Sequence, residues 1–330
     1  MTGGRRKVVQ QHYVPRFYLK GFATGPGGEN QVYAFDKVTG KTFRTSIESI
    51  AKERHFYDID GDQTVERALG ILEADFAVAL GRLVRNGRLD CLTSDDKLAL
   101  SMLVATQLLR TAELRTQIKQ LAGMLAALPT AIKPSWFPSP TEAVAEESIK
   151  KAHMSALLSN LRAVMDALRD ELSWHLCMND TDTPFWTSDN PCAMYNELKP
   201  NPGEDNLGLQ RKGFHLHFPL TSRLLLVMLN RSTKLSDLKR AKKADAYRGL
   251  VEISKSHDCS ISDTVPEVIQ ATPEGVAVEN TLQVIWSTRF IISSDDEFDL
   301  ARTHIARDPA CADPGRRRII VSWPRGSQNV

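Results

Sequence analysis

Two short stretches gather most of the side chains able to do chemistry. In QHYVPRFYLKGF, residues 11–22, His12, Tyr13, Arg16, Tyr18 and Lys20 sit in an aromatic run. Histidine can give or take a proton near neutral pH, and arginine grips phosphate or carboxylate with a fork of donors. Aromatic rings beside them can stack a base. The same run also fits a first strand whose Val14, Phe17 and Leu19 enter the core while its polar groups face water. The second stretch is FWTSDNP, residues 185–191. Asp189 offers a carboxylate for activating water or stabilising a developing cation. Asn190 can donate and accept, and Thr187 and Ser188 are further donors. Ser-Asp-Asn-Pro is equally the chemistry of an Asx-turn.

Two weaker groupings deserve a place beside these. Gln107, Arg110 and Thr111 share a face at three- and four-residue spacing on an otherwise apolar helix; they would either line a polar cleft or meet solvent. His215 and His217 alternate on a strand and project from one face, as two metal ligands would, or as imidazoles on a solvated face. No Asp, Glu or Cys nearby in sequence completes a metal set. The chain has no Walker loop, no GxGxxG after a strand, no GxSxG elbow and no HExxH helix. Nucleotide hydrolysis, dinucleotide redox and serine-hydrolase chemistry are therefore disfavoured. No cofactor is implied.

The elements that must position these groups can be read from periodicity. Gln31–Asp36 and Lys41–Thr45 form a hairpin about a turn at residues 37–40. Val65, Leu69, Leu72, Phe76, Leu80 and Leu83 repeat at helical spacing, with Gly87 as the stop. Thr93 and Asp96 resemble a capping box ahead of a helix running through Leu98, Met102, Leu109 and Leu114 to about Leu128, closed by Pro129. KPSWFPSP, residues 133–140, is a linker or lid. A third long helix covers about Glu142–Glu171. Strands follow at Ser173–Met178, from Pro184 to Thr187, at Phe214–Leu220 and at Leu224–Leu229. A basic helix is expected near Ser236–Ser256, an amphipathic one around Glu274–Ser287, and final strands at Arg289–Ile292 and Arg318–Trp323. Helices dominate the first half and a mixed or antiparallel sheet the second, so the fold is α+β in one compact domain. Its expected limits are a basic tail at 1–7, a domain at 8–293 with a helical lobe at about 64–171, and a C-terminal extension at 294–330.

Composition narrows the setting. With 42% hydrophobic and 25% charged residues the chain is globular, and 42 Lys+Arg against 40 Asp+Glu demand no nucleic-acid partner by net charge alone. Local charge says more. Seven basic residues between Arg231 and Arg248 stand against Asp237 and Asp245, a pattern that tracks phosphates or coats a solvated helix. Five scattered cysteines without a CxxC pair suggest neither a zinc ribbon nor a disulfide framework, which fits a reduced cytoplasm. No apolar stretch is long enough to span a bilayer.

In order along the chain, HYVPRFYLKGF, VYAFDKVTGK, SIAKERHFY, QLLRTAELR, FWTSDNP and HFPLTSRLLL resemble the bacterial domain-of-unknown-function family 4238, from about Val8 to Phe290. The first motif and TSDNP together carry most of that resemblance. It implies a cytoplasmic phage-defence enzyme, since some relatives look like DNA glycosylases that excise modified bases from viral DNA and leave abasic sites. Under that implication Asp189 stabilises an oxocarbenium-like sugar and positions water, Asn190 orients water or base, and His12 joins them in catalysis. Tyr13, Arg16, Tyr18, Gln107, Arg110, Thr187 and Ser188 bind the extruded base or its flanking phosphate. Lys239, Arg240, Lys242 and Lys243 hold the DNA backbone. His12, Arg16, Asp189 and Asn190 are expected in one cleft. The rivals are a nuclease with a divalent ion on Asp189 and another carboxylate, and a non-enzymatic nucleic-acid or protein-binding module.

Overall fold

A computed structural model of the chain describes residues 7–24, 30–129, 138–196, 198, 208–234, 236 and 265–316. It opens with β1 (Gln10–His12), the single-turn helix α1 (Arg16–Leu19), β2 (Gln31–Asp36), β3 (Lys41–Ser46) and β4 (Lys52–Arg54). A run of helices follows: α2 (Thr64–Asn86), α3 (Ser94–Leu109), α4 (Ala112–Ala126), α5 (Pro140–Ala143) and α6 (Glu146–Asp170). Then come β5 (Leu172–Met178), β6 (Thr187–Ser188), β7 (Ala193–Asn196), β8 (Phe214–Thr221) and β9 (Leu224–Asn230). β10 (Val268–Gln270), α7 (Pro273–Trp286), β11 (Phe290–Ser293) and α8 (Asp299–Arg307) complete the order.

Alternation along β8 and β9 decides how the layers stack. Phe214, Leu216, Phe218 and Leu220, with Leu224, Leu226 and Met228, join the large core shared with α2, α3 and α6. Leu225 and Val227 point the other way, into a smaller core with Phe185, Ile269 and Val276 of α7. A strand buried on both faces reads as an unbroken apolar run, as LLLVML does here. The sheet has the order β10-β5-β9-β8-β7, antiparallel except for the parallel pair β10–β5. A second sheet, β3-β2-β11-β6, is antiparallel throughout, and Phe35, Trp186, Val284, Ile291 and Phe298 form its core. β1 and β4 form a separate antiparallel pair. This is a single compact α+β domain with its helices concentrated early and its main sheets later.

Local chemistry explains the boundaries. Gly40, at φ 69°, takes the left-handed position of the turn between β2 and β3. Thr93 and Asp96 exchange hydrogen bonds as a complete capping box for α3, and Gly87 ends α2 at φ 61°. Three expectations need correction, the first being the single helix anticipated at about Glu142–Glu171, which divides at residues 144–145 into α5 and α6. The helix anticipated from Thr93 to Leu128 breaks between Leu109 and Ala112, because the Thr111 side chain accepts from Leu114 N and starts a new helix. The strand anticipated from Pro184 shrinks to Thr187–Ser188: Trp186 N instead donates 2.8 Å to Asn280 Oδ1 of α7. The basic helix near 236–256, including Lys239, Arg240, Lys242 and Lys243, lies outside the described residues apart from Ser236. So do the final strand at 318–323 and most of the 133–140 linker. Among the described residues no helix is long and apolar enough to cross a membrane.

The helix break is locked from α6. His153, fully buried, pairs with Leu109 O at 2.8 Å through Nε2, while Arg115 Nε donates 3.3 Å to its Nδ1. These partners fix the neutral tautomer with its proton on Nε2. Burial, then the Arg115 charge, lowers its pKa from 6.5 to about 4. A folded-state pKa below the unfolded one means that unfolding takes up a proton. The resulting stability is whole above about pH 6.5 and is lost as pH falls toward 4. His153→Gln should therefore flatten the acid limb of a pH–stability profile from denaturant melts by about 3 kcal/mol. An unchanged slope between pH 6.5 and 4 would refute this role.

Candidate active site

Motif one has two sides. Its inward side is core: Tyr18 is fully buried, stacks on Phe218 at 4.9 Å, donates 2.7 Å to Pro219 O and meets Thr187 Oγ1 at 2.7 Å. Gly21 lets the backbone press against β8, where a Cβ would stand 2.6 Å from Leu220 O. Tyr13 packs against Phe56 at 5.2 Å, and burial followed by the nearby Asp189 charge raises its phenol well above the ordinary value. The outward side is different. Gln10 and His12 of β1, with the exposed Arg16 of α1, face Glu66, Leu69, Gly70 and Glu73 of α2 and Arg110 at the helix break. Together with Val8 they line a cleft of ≈ 280 Å³, just below the usual range of about 300–1,000 Å³ for ligand sites.

Arg110 is the organising group of that cleft. It is 1% exposed, and its Nη1 reaches Glu73 Oε1 at 3.0 Å. Its Nε donates 3.1 Å to Gln107 Oε1, and the Gln107 amide donates 3.0 Å to Tyr13 O. Gln107 and Thr111 are buried too, so the solvent-facing reading of this helix face is corrected: it backs a cleft. Two nitrogens at the cleft are left over. Arg110 Nη2 and His12 Nε2 are buried with no hydrogen-bond partner among the described residues. Such groups are costly unless something binds them.

Titration properties point the same way. Burial, then the like charge of Glu73, raises Glu66 from 4.5 to about 7 despite the opposing Arg110. At neutral pH Glu66 is therefore divided between its two protonation states and can give or take a proton. Burial, then Arg16 and Lys52, lowers His12 from 6.5 to about 4. The imidazole is neutral although backbone groups at Ile47 and Glu48 pull the other way, and its Nε2 has no partner among the described residues. Arg16 and Lys52 make the surroundings cationic. Glu66 and Glu73 escaped the sequence reading, although their seven-residue spacing sets them on one face of a helix already recognised.

The second motif lies elsewhere, clamped on the exit of α7. Asp189 Oδ1 accepts from Thr288 N at 2.7 Å, while Oδ2 accepts from Arg289 N at 2.8 Å and Phe290 N at 3.0 Å. Asn190 Nδ2 donates 2.9 Å to Trp286 O, and Ser188 Oγ donates 2.8 Å to Gln283 Oε1. Lys37 Nζ adds bonds to Val284 O and Ser287 O at the same helix end. Burial raises the Asp189 carboxyl, with the three backbone donors and Lys37 pulling against it. The two motifs do touch, through Tyr18–Thr187, but inside the core. His12, Arg16 and Arg110 line the cleft with Gln107 directly behind; Asp189, Asn190, Thr187, Ser188 and Tyr18 do not line it.

His215 and His217 are also buried rather than solvated. His215 Nδ1 bonds His217 Nε2, and His217 Nδ1 meets Glu279 Oε2 of α7 at 2.8 Å. The carboxylate missing from their sequence neighbourhood comes from 62 residues away. A different set of potential metal ligands, His304, Asp308 and Cys311, brings its donor atoms within 4.8 Å of one another.

Residues 10–297 match the model of a family described as protein of unknown function (DUF4238). The chain belongs to that family. The match takes in both motifs, the cleft and the helix break. No curated protein and no solved structure matches the chain.

The bonding of Asp189 makes its removal a test of architecture. Asp189→Asn keeps the size but replaces a charged acceptor of three backbone N–H groups with a neutral amide that has one oxygen. Unfolding free energy should drop by about 3 kcal/mol in denaturant melts. A drop below about 0.5 kcal/mol would show that the clamp contributes little.

Proposed function

We propose that the cleft is the active site of a hydrolase acting on nucleic acid, in which Glu66 is the general acid for N-glycosidic bond cleavage. The observation that carries this reading is the pair of carboxylates on one face of α2: Glu66 with a pKa of about 7 and Glu73 held by Arg110. Environments that treat two carboxylates differently suit the two roles that glycoside hydrolysis requires. Glu66 protonates the departing base. Glu73 positions water and stabilises the positive charge growing on the sugar. Arg110 and His12 Nε2 take the polar edge of the base, and Arg16 holds an adjoining phosphate. The carboxylate chemistry thus moves from Asp189, whose oxygens are engaged by the backbone, to Glu66. By the family resemblance, the substrate is phage DNA carrying modified bases.

A second reading, metal-dependent cleavage of the phosphodiester backbone, is favoured by the His304, Asp308 and Cys311 cluster. One assay separates the two. Purified full-length protein is incubated with base-modified and plain DNA, with and without EDTA, and then examined for direct breaks and for alkali-labile abasic sites. Abasic sites that survive EDTA, and that fall by at least about 100-fold in Glu66→Gln, are the expected result. Direct breaks abolished by EDTA would establish the nuclease instead. Binding without any cleavage would identify a non-enzymatic module and overturn both.

A further inference from the structure

The end of α8 gathers three donors that belong to neither motif nor to the cleft. His304 stands in the last turn, Asp308 caps it, and Cys311 follows in the 3-10 turn Pro309–Ala312. Backbone bonds fix this spacing: Asp308 N to His304 O at 2.9 Å and Cys311 N to Asp308 O at 3.1 Å. The side chains converge. Cys311 Sγ lies 3.6 Å from His304 Nε2 and 3.2 Å from Asp308 Oδ2, and the three donor atoms fall within 4.8 Å of one another. Metal bonds of about 2.3 Å to sulfur and about 2.0–2.1 Å to nitrogen, at a tetrahedral angle, require a sulfur–nitrogen edge of roughly 3.5 Å. These donors already stand close to that edge length. Burial is graded across the cluster, with Cys311 buried, His304 half-buried and Asp308 exposed. An ion can therefore enter from solvent, and a fourth position remains open to water.

We infer that His304, Asp308 and Cys311 form a binding site for a zinc-like divalent ion. Thiolate and imidazole select such an ion over magnesium or calcium, which prefer oxygen. Binding releases the Cys311 thiol proton to solvent, and the metal–sulfur bond replaces the contact from Sγ to Asp308 Oδ2. Burial, then the Asp308 hydrogen bond, holds the Cys311 thiol above its ordinary value with Arg316 pulling the other way, so the ion itself must displace that proton. The inference concerns binding alone and does not rest on the function proposed for the cleft.

Cobalt is a direct probe, because tetrahedral thiolate-bound Co²⁺ has visible d–d bands and a near-ultraviolet sulfur-to-metal charge-transfer band. Reduced, chelator-stripped full-length protein is titrated with Co²⁺ and then with Zn²⁺. Expected are one equivalent of Co²⁺ with both signatures, displaced by Zn²⁺, and at least about tenfold weaker Zn²⁺ binding in His304→Ala and in Cys311→Ser. Cys91→Ser should bind as the parent does. Circular dichroism checks that each variant is folded. Absence of the charge-transfer band in the parent protein overturns the assignment without recourse to any variant. So does a band that persists at full affinity in both ligand variants.

Discussion

A guanidinium that is 1% exposed cannot stand alone, and the burial of Arg110 constrains much of what surrounds it. Removing a charge from water costs several kcal/mol unless its donors are matched. Glu73 supplies the opposite charge from α2, and Gln107 supplies an oxygen from the preceding turn of α3. Gln107 then uses its amide to hold the Tyr13 carbonyl, which ties the first motif to the same group. The fold thus fixes β1, α2 and α3 about one cation. Because one guanidinium nitrogen is left over, that fixed point faces the cleft with bonding capacity to spare.

The parts legible in the sequence were those whose cause is local. Gly40, Gly87, Thr93 and Asp96 act through backbone conformation and capping within a few residues, so the hairpin, the end of α2 and the start of α3 could be placed from them. The alternating apolar residues of β8 and the unbroken apolar run of β9 likewise marked two strands. What escaped detection depends on distant partners. Thr111 has the chemistry of an N-cap, but helical periodicity on both sides masked it. The break is stabilised by His153, far along the chain on α6. His215 and His217 read as solvated because Glu279 is remote in sequence. Glu66 and Glu73 passed for the polar side of an amphipathic helix, since only the folded chain brings Arg110 and His12 against them.

The two motifs illustrate how recognisable sequence divides between positioning and chemistry. In the first motif one short segment does both. Tyr18 and Gly21 seat it on β8, and this holds His12 and Arg16 at the edge of the cleft. In the second, each of Ser188, Asp189 and Asn190 holds part of α7 or the strand after it. The clamp lies beside the antiparallel pairing of β6 with β11, where Ser188 stands opposite Ile291 and Thr187 opposite Ile292.

The break between α3 and α4 also restricts how this fold can vary in length. Thr111 caps one helix directly after Arg110 ends another, so the two helices share a joint without slack. Adding or deleting one residue there would disturb the Thr111 cap and shift α4 relative to α3, and Arg115 would lose its bonds to His153, Glu53 and Phe56 together. A loop can absorb such an insertion; this joint cannot. Natural variation in chain length should therefore avoid positions 109–112 and gather where strands and helices are joined by longer connections.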